Sequence, residues 1–167
     1  MRLLTTIVLA IVTVRAGAAQ SMPQGMTHEQ HMAQMQHDAE LKRRGAMAMG
    51  FDQDKTFHSF RLAENGGSIE VSVKDSADTA DRDAIRAHLR EIAKSFAAGN
   101  FEKPMMTHGE EPDGVAVMKR LKSAITYRYE ETPAGGRVRI STADVEALKA
   151  VHAFLRYQIR EHGTDKG

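Results

Sequence analysis

Gly66-Gly67-Ser68-Ile69-Glu70-Val71 returns later in the chain as Gly135-Gly136-Arg137-Val138-Arg139-Ile140, and this echo decides the fold. After each glycine pair, polar and β-branched residues alternate, which is the period of a strand with one buried face. Ahead of each copy lies a turn and another alternating run. Thr56 to Leu62 puts His58, Phe60 and Leu62 on one face, and Asn65-Gly66-Gly67 turns the chain into Ser68 to Lys74, with Ile69, Val71 and Val73 inward. In the same way Ala124 to Glu130 alternates, Pro133-Ala134-Gly135-Gly136 turns, and Arg137 to Ser141 returns with Val138 and Ile140 inward.

Each hairpin leads into a helical pattern. Asp78 or Thr79 caps a helix extending to about Ala98, stopped by Gly99-Asn100, with the stripe Ile85, His88, Leu89, Ile92 and Phe96. Asp144 caps a last helix to about His162, with the stripe Leu148, Val151, His152, Leu155 and Ile159. A short helix covers Val115 to Leu121 between them. Asp75 lines up with Asp144, and a short insertion brings Ile85, Leu89, Ile92 and Phe96 into register with Leu148, His152, Leu155 and Ile159. The fold expected is α+β: two strand–strand–helix repeats forming one antiparallel sheet, with two helices packed on one face. In this register His152 matches Leu89 and His88 matches Val151, so the two histidines are neighbours on equivalent faces rather than copies of one ligand.

The ends of the chain read differently. Arg2, the apolar run Leu3 to Val14 and the small residues Ala16 to Ala19 have the pattern of a secretory signal peptide over residues 1–19. That run is short for a bilayer span, and no transmembrane segment is expected after cleavage. The expected location is periplasmic or secreted. Residues 20–50 form a Met/His-rich segment, flexible or weakly helical. Thr27 is its plausible N-cap, the helix runs through Leu41, and a linker around Ala46-Met47-Ala48-Met49 lies between Gly45 and Gly50. A single α+β domain over 51–163 and a disordered tail over 164–167 complete the organisation.

Composition narrows the chemistry. Lys and Arg number 23 against 22 Asp and Glu, with no basic stripe, so no nucleic-acid partner is expected. With 0 Cys, disulfides, thiolate catalysis, zinc fingers and iron–sulfur clusters are excluded. Any metal must be held by His, Met, carboxylate or backbone oxygen.

Three sets of residues point to a metal ion. His58, His88 and His152 all fall on faces predicted to look inward, and imidazole is costly to bury without a partner. If they converge, they suit copper, with zinc the second choice. If not, each is a separate histidine bonded to a carbonyl, an acid, Tyr127 or Tyr129. Met105-Met106-Thr107-His108 offers two thioethers and an imidazole for Cu(I), with Met118 nearby; alternatively Met105 and Met106 plug the sandwich edge. The amino-terminal tract carries Met22, Met26, His28, His31, Met32, Met35, His37, Met47 and Met49. On a helix, His28 with Met32 and His31 with Met35 would each clamp a soft ion from one face. The other reading is a methionine stripe that docks on the domain or on a periplasmic partner protein.

Catalytic patterns are thin. No serine lies in a nucleophile elbow, no HExxH occurs, and the glycine pairs belong to hairpins rather than phosphate cradles. Glu110-Glu111 and Glu130-Glu131 read as solvated surface, and His162 as a cation complementing the dipole of the last helix.

Met49-Gly50-Phe51-Asp52-Gln53 with His58 and Phe60, then Arg82-Asp83-Ala84-Ile85-Arg86-Ala87-His88-Leu89, the Tyr127–Gly136 hairpin and Val151-His152-Ala153-Phe154-Leu155-Arg156 together resemble an uncharacterised family of small exported bacterial proteins. The resemblance implies one exported domain over about residues 49–162 and lends no reaction. Members of that family often carry a second histidine directly after the one matching His58, where this chain has Ser59; a site that needs it is weakened here.

The leading expectation is therefore a periplasmic metal-binding protein for copper sequestration, delivery or tolerance. The alternative is a non-enzymatic envelope interaction module with structural buried histidines. A small metalloenzyme using the trio ranks last.

Overall fold

The computed structural model describes residues 27–164. The signal-peptide reading, Met22, Met26 and residues 165–167 of the tail lie outside the described residues. The chain divides into two units, Met1–Met35 and Gln36–Gly167, with the boundary inside the first helix.

That helix, α1, spans His28–Met49. Its first turn closes reciprocally: Gln30 N donates to Thr27 Oγ1 at 3.2 Å, and Thr27 N donates to Gln30 Oε1 at 2.9 Å. Residues 45–49, read as a linker, are instead its last turn. Gly45 lies inside the helix, with the ends of the Gln53 and Met49 side chains close by. The stop comes at Gly50, whose φ of 77° is the left-handed conformation that glycine adopts without strain.

The domain is two strand–strand–helix repeats, as the echo in the sequence requires. Strands β1 (Thr56–Ala63) and β2 (Gly66–Val73) lead into α2 (Thr79–Ala97); β3 (Ile125–Thr132) and β4 (Gly135–Thr142) lead into α5 (Val145–His162). Between the repeats lie two short helices, α3 (Glu102–His108) and α4 (Val115–Arg120). The four strands form one antiparallel sheet in the order β1-β2-β4-β3. Its centre is the pairing of β2 with β4, in which Ile69 faces Val138, its own counterpart in the repeat. A pseudo-twofold axis therefore passes through that pair.

The axis explains the glycine pairs more fully than turn chemistry does. A Cβ on Gly66 would strike the Ile140 carbonyl, and a Cβ on Gly135 would strike the equivalent Val71 carbonyl. Inside the sheet, Leu155 of α5 lies over Gly67 and Leu89 of α2 over Gly136. Glycine is thus required where the central strands approach each other, and it leaves room for a leucine from above.

The helices cross over. Helix α2 packs mainly on β3 and β4, and α5 mainly on β1 and β2, so each repeat covers the hairpin of the other. The crossing is fastened at both ends. Arg86 of α2 donates to Gly135 O at 3.1 Å and to Thr132 O at 2.8 Å, in the β3–β4 turn. His152 of α5 donates from Nε2 to Ala63 O at 2.9 Å and Gly66 O at 3.0 Å, the equivalent carbonyls of the β1–β2 turn. Both acceptors are carbonyls, so Nε2 must carry the proton.

Caps and core follow the pattern. Asp78 Oδ1 accepts from Asp81 N at 3.1 Å, and Asp144 Oδ1 from Ala147 N at 2.8 Å. Ile85, Leu89, Ile92 and Phe96 of α2 are buried with Val71, Val138 and Ile140 of the sheet. Phe101, just before α3, stacks on Phe96 at 4.3 Å and meets Phe154 edge-on at 6.2 Å. These rings set α3 against the ends of α2 and α5.

One face is rotated from expectation. The buried arc of α5 runs through Ala147, Ala150, Val151, Phe154, Leu155, Tyr157 and Gln158, not through Leu148, His152 and Ile159. Five of these seven residues lie outside the predicted stripe, because the helix meets Phe96 and Phe101 through Phe154 as well as the sheet. That rotation takes His152 to the hairpin turn and brings Gln158 and His162 inward.

Candidate functional site

Four imidazoles line one cavity between the helices and the β1–β2 hairpin: His58 of β1, His88 of α2, His108 of α3 and His162 of α5. The cavity measures about 70 Å³, room for a few water molecules or an ion. Phe60, Ile69 and Val71 form its floor, Leu89, Ile92, Phe96 and Phe154 its apolar wall, and Met49, Lys103, Pro104, Thr107 and Gln158 complete the lining.

The rings form a chain of contacts. His58 and His162 stack at 5.3 Å between centroids with an interplanar angle of 15°. His162 meets His108 nearly perpendicular at 5.4 Å. On the other side Phe51 stacks on His58 at 6.1 Å and meets His88 edge-on at 5.6 Å. His58 and His162 also face a second, more polar recess that includes Gln53, Asp54, Lys74 and Thr164.

Burial keeps these rings uncharged. Loss of hydration, helped by the Lys74 ammonium, lowers the pKa of His58 from 6.5 to about 4. His88 also falls to about 4, through desolvation first and then Lys103 and His58. His162 drops to about 3, again by desolvation and then by its neighbours His58 and His108. For His108 desolvation lowers the pKa, while the bond to Gln158 and the charges of Glu161 and Glu110 work against it. A neutral imidazole keeps a lone pair on one nitrogen, which is the form that binds a metal.

Some of those nitrogens are unpartnered. His108, only 6% exposed, donates from Nε2 to Gln158 Oε1 at 3.1 Å, which leaves Nδ1 as a buried acceptor with nothing to accept from. His58 Nε2 and His88 Nδ1 are likewise buried without a hydrogen-bond partner among the described residues. The Tyr127 and Tyr129 hydroxyls do not supply those bonds. Unmet buried polar atoms cost about 1–3 kcal/mol each, so a cluster of them calls for an explanation.

The geometry is not a finished metal centre. Among the described residues no group of three or more His, Asp or Glu side chains is placed to hold an ion. The stack is one obstacle: imidazole binds an ion in its own ring plane, so the stacked rings of His58 and His162 do not aim at one point. Turning one ring about χ1 and χ2 is what coordination would require.

The sequence-predicted residues divide accordingly. His58, His88 and His108 meet at the cavity. His152 does not; it fastens the β1–β2 turn, because the buried arc of α5 is rotated away from it. His162, read as a solvated cation, is a buried neutral member of the cluster, and its position one turn beyond Gln158 on the true arc was the available signal. Met105 and Met106 stay out of the cavity: Met105 Sδ lies 3.8 Å from Lys119 Nζ, and Met106 is 62% exposed. Met118 is fully buried in the core. His28, Met32 and Met35 are exposed and His31 half-buried on α1, with the four-residue spacings realised on a helix. Met49, from the same tract, reaches the cavity, and His37 Nε2 instead pairs with Glu161 Oε2 at 3.1 Å.

No protein-family model, no curated protein and no solved structure matches this chain.

Proposed function

We propose that the protein binds a soft metal ion, copper in the first instance, and acts outside the cytoplasm in copper sequestration, delivery or tolerance. One observation carries this reading: four imidazoles held neutral by burial border a single cavity, and three of them keep a buried nitrogen without a partner. Neutral imidazole with a thioether at the rim, from Met49, is a donor set suited to copper in a chain without thiolate. The exposed methionines and histidines of α1 supply exchangeable ligands for a first, looser capture.

The test is an anaerobic titration of the full-length protein with Cu(I), following the histidine C2–H resonances. The resonances of His58, His88, His108 and His162 should move together, and His58→Leu should weaken binding by roughly tenfold or more. If only His28, His31 and His37 respond, the tract alone handles the ion. If no resonance responds, the cluster is structural, as His152 already is, and the interaction-module reading takes its place.

A further inference from the structure

We infer that the four-histidine cavity accepts singly charged soft ions, Cu(I) or Ag(I), and rejects doubly charged Cu(II) and Zn(II). This inference rests on the reading of the cavity as a metal site and adds the charge state of its ligand.

Charge balance selects the ion. The donors in the cavity are all neutral, and among the described residues none that lines it is a carboxylate. A bound ion therefore keeps its whole charge. The remaining lining is largely apolar, and the cost of moving an ion into such surroundings grows as the square of its charge. A divalent ion would meet about four times the penalty of a monovalent one.

Fixed cations raise that penalty. Lys103 lies in the lining itself, close enough to act on His88. Lys74 stands in the recess behind His58, held by its bond to Asp54 O at 2.7 Å. Arg44 also acts on His108 from α1, more weakly than the Glu161 and Glu110 carboxylates that oppose it. Two carboxylates, Glu161 and Glu110, act on His108 from outside the lining and offset part of that repulsion; Glu161 pairs with His37, and Glu110 accepts from the Tyr157 hydroxyl at 2.8 Å. Asp54 belongs to the recess rather than to the cavity. Repulsion from an ammonium doubles with the charge of the ion, whereas a low-coordinate soft ion needs only two or three of the five available donors. Monovalent copper and silver meet both conditions.

The experiment compares Ag(I), which is inert to redox change, with Zn(II) on the full-length protein at the assigned His58, His88, His108 and His162 resonances. Silver should bind at least a hundredfold more tightly than zinc. Lys103→Glu should narrow that gap at least tenfold by tightening zinc, and Lys103→Gln should narrow it less; the graded pair guards against one variant failing to fold. Zinc binding as tightly as silver would overturn the inference while leaving the metal site standing. So would a gap that neither folded variant moves. If neither ion shifts any of the four resonances, the proposed function falls, and this inference with it.

Discussion

Acidification from about pH 7.5 to about pH 5 should strip the metal-free domain of a large part of its stability. The cause is the buried cluster. His58 and His88 have pKa values of about 4 in the folded protein and His162 about 3, against 6.5 for an ordinary histidine. Because the folded values are depressed, the unfolded chain takes up protons first. Stability is full above about pH 6.5 and is lost as the pH falls towards about 4. At pH 5 each of the three groups costs about 2 kcal/mol, or about 6 kcal/mol together. A domain of this size has only about 5–15 kcal/mol to lose. Urea midpoints followed by circular dichroism at pH 7.5, 6 and 5 would show the loss. Over the lower half of that range the slope should approach two to three protons, each about 1.4 kcal/mol per pH unit. His162→Leu should remove about one of them, and His88→Leu serves if that variant does not fold. A midpoint that stays put between pH 7.5 and 5 would refute the claim that burial holds these rings neutral.

Other expectations follow from the fastenings and the cavity. His152→Ala removes the donor to Ala63 O and Gly66 O, and should cost about 1–2 kcal/mol, a fall of roughly 3–8 °C in Tm by thermal melt. Arg86→Ala loses two carbonyl bonds together with ion pairs to Asp83 and Glu131, and should cost more, about 2–3 kcal/mol by thermal melt. Gly66→Ala forces a side chain against the Ile140 carbonyl at a φ of 149°, and should cost about 3 kcal/mol or prevent folding, seen as loss of near-ultraviolet dichroism. Met106→Ser, at an exposed position, should alter stability by less than about 0.5 kcal/mol and leave the Cu(I) response of the four cavity histidines unchanged.

The fold was legible because its signals are local and repeated. The glycine pairs, the alternation after them and the caps at Asp78 and Asp144 each specify a strand, turn or helix start without reference to the rest of the chain. The cavity was only half legible. His58, His88 and His108 could be found by direction or by ligand chemistry. His152 and His162 were exchanged because the face of α5 is set by Phe96 and Phe101, residues outside that helix, and a stripe read within one helix does not know what it will pack against. The end of α1 shows the limit of a local reading too: a glycine weakens a helix, yet α1 runs through Gly45 to Met49. Direction is written in sequence; depth and rotation are decided between elements.

The crossed fastening has a consequence for how the chain can be divided. Arg86 belongs to the first half but secures the second, and His152 belongs to the second but secures the first. Neither half, cut at the junction after α4, would possess its own latch or lid. Expressed together as separate pieces, the halves should reassemble into an interlocked pair, each useless without its twin.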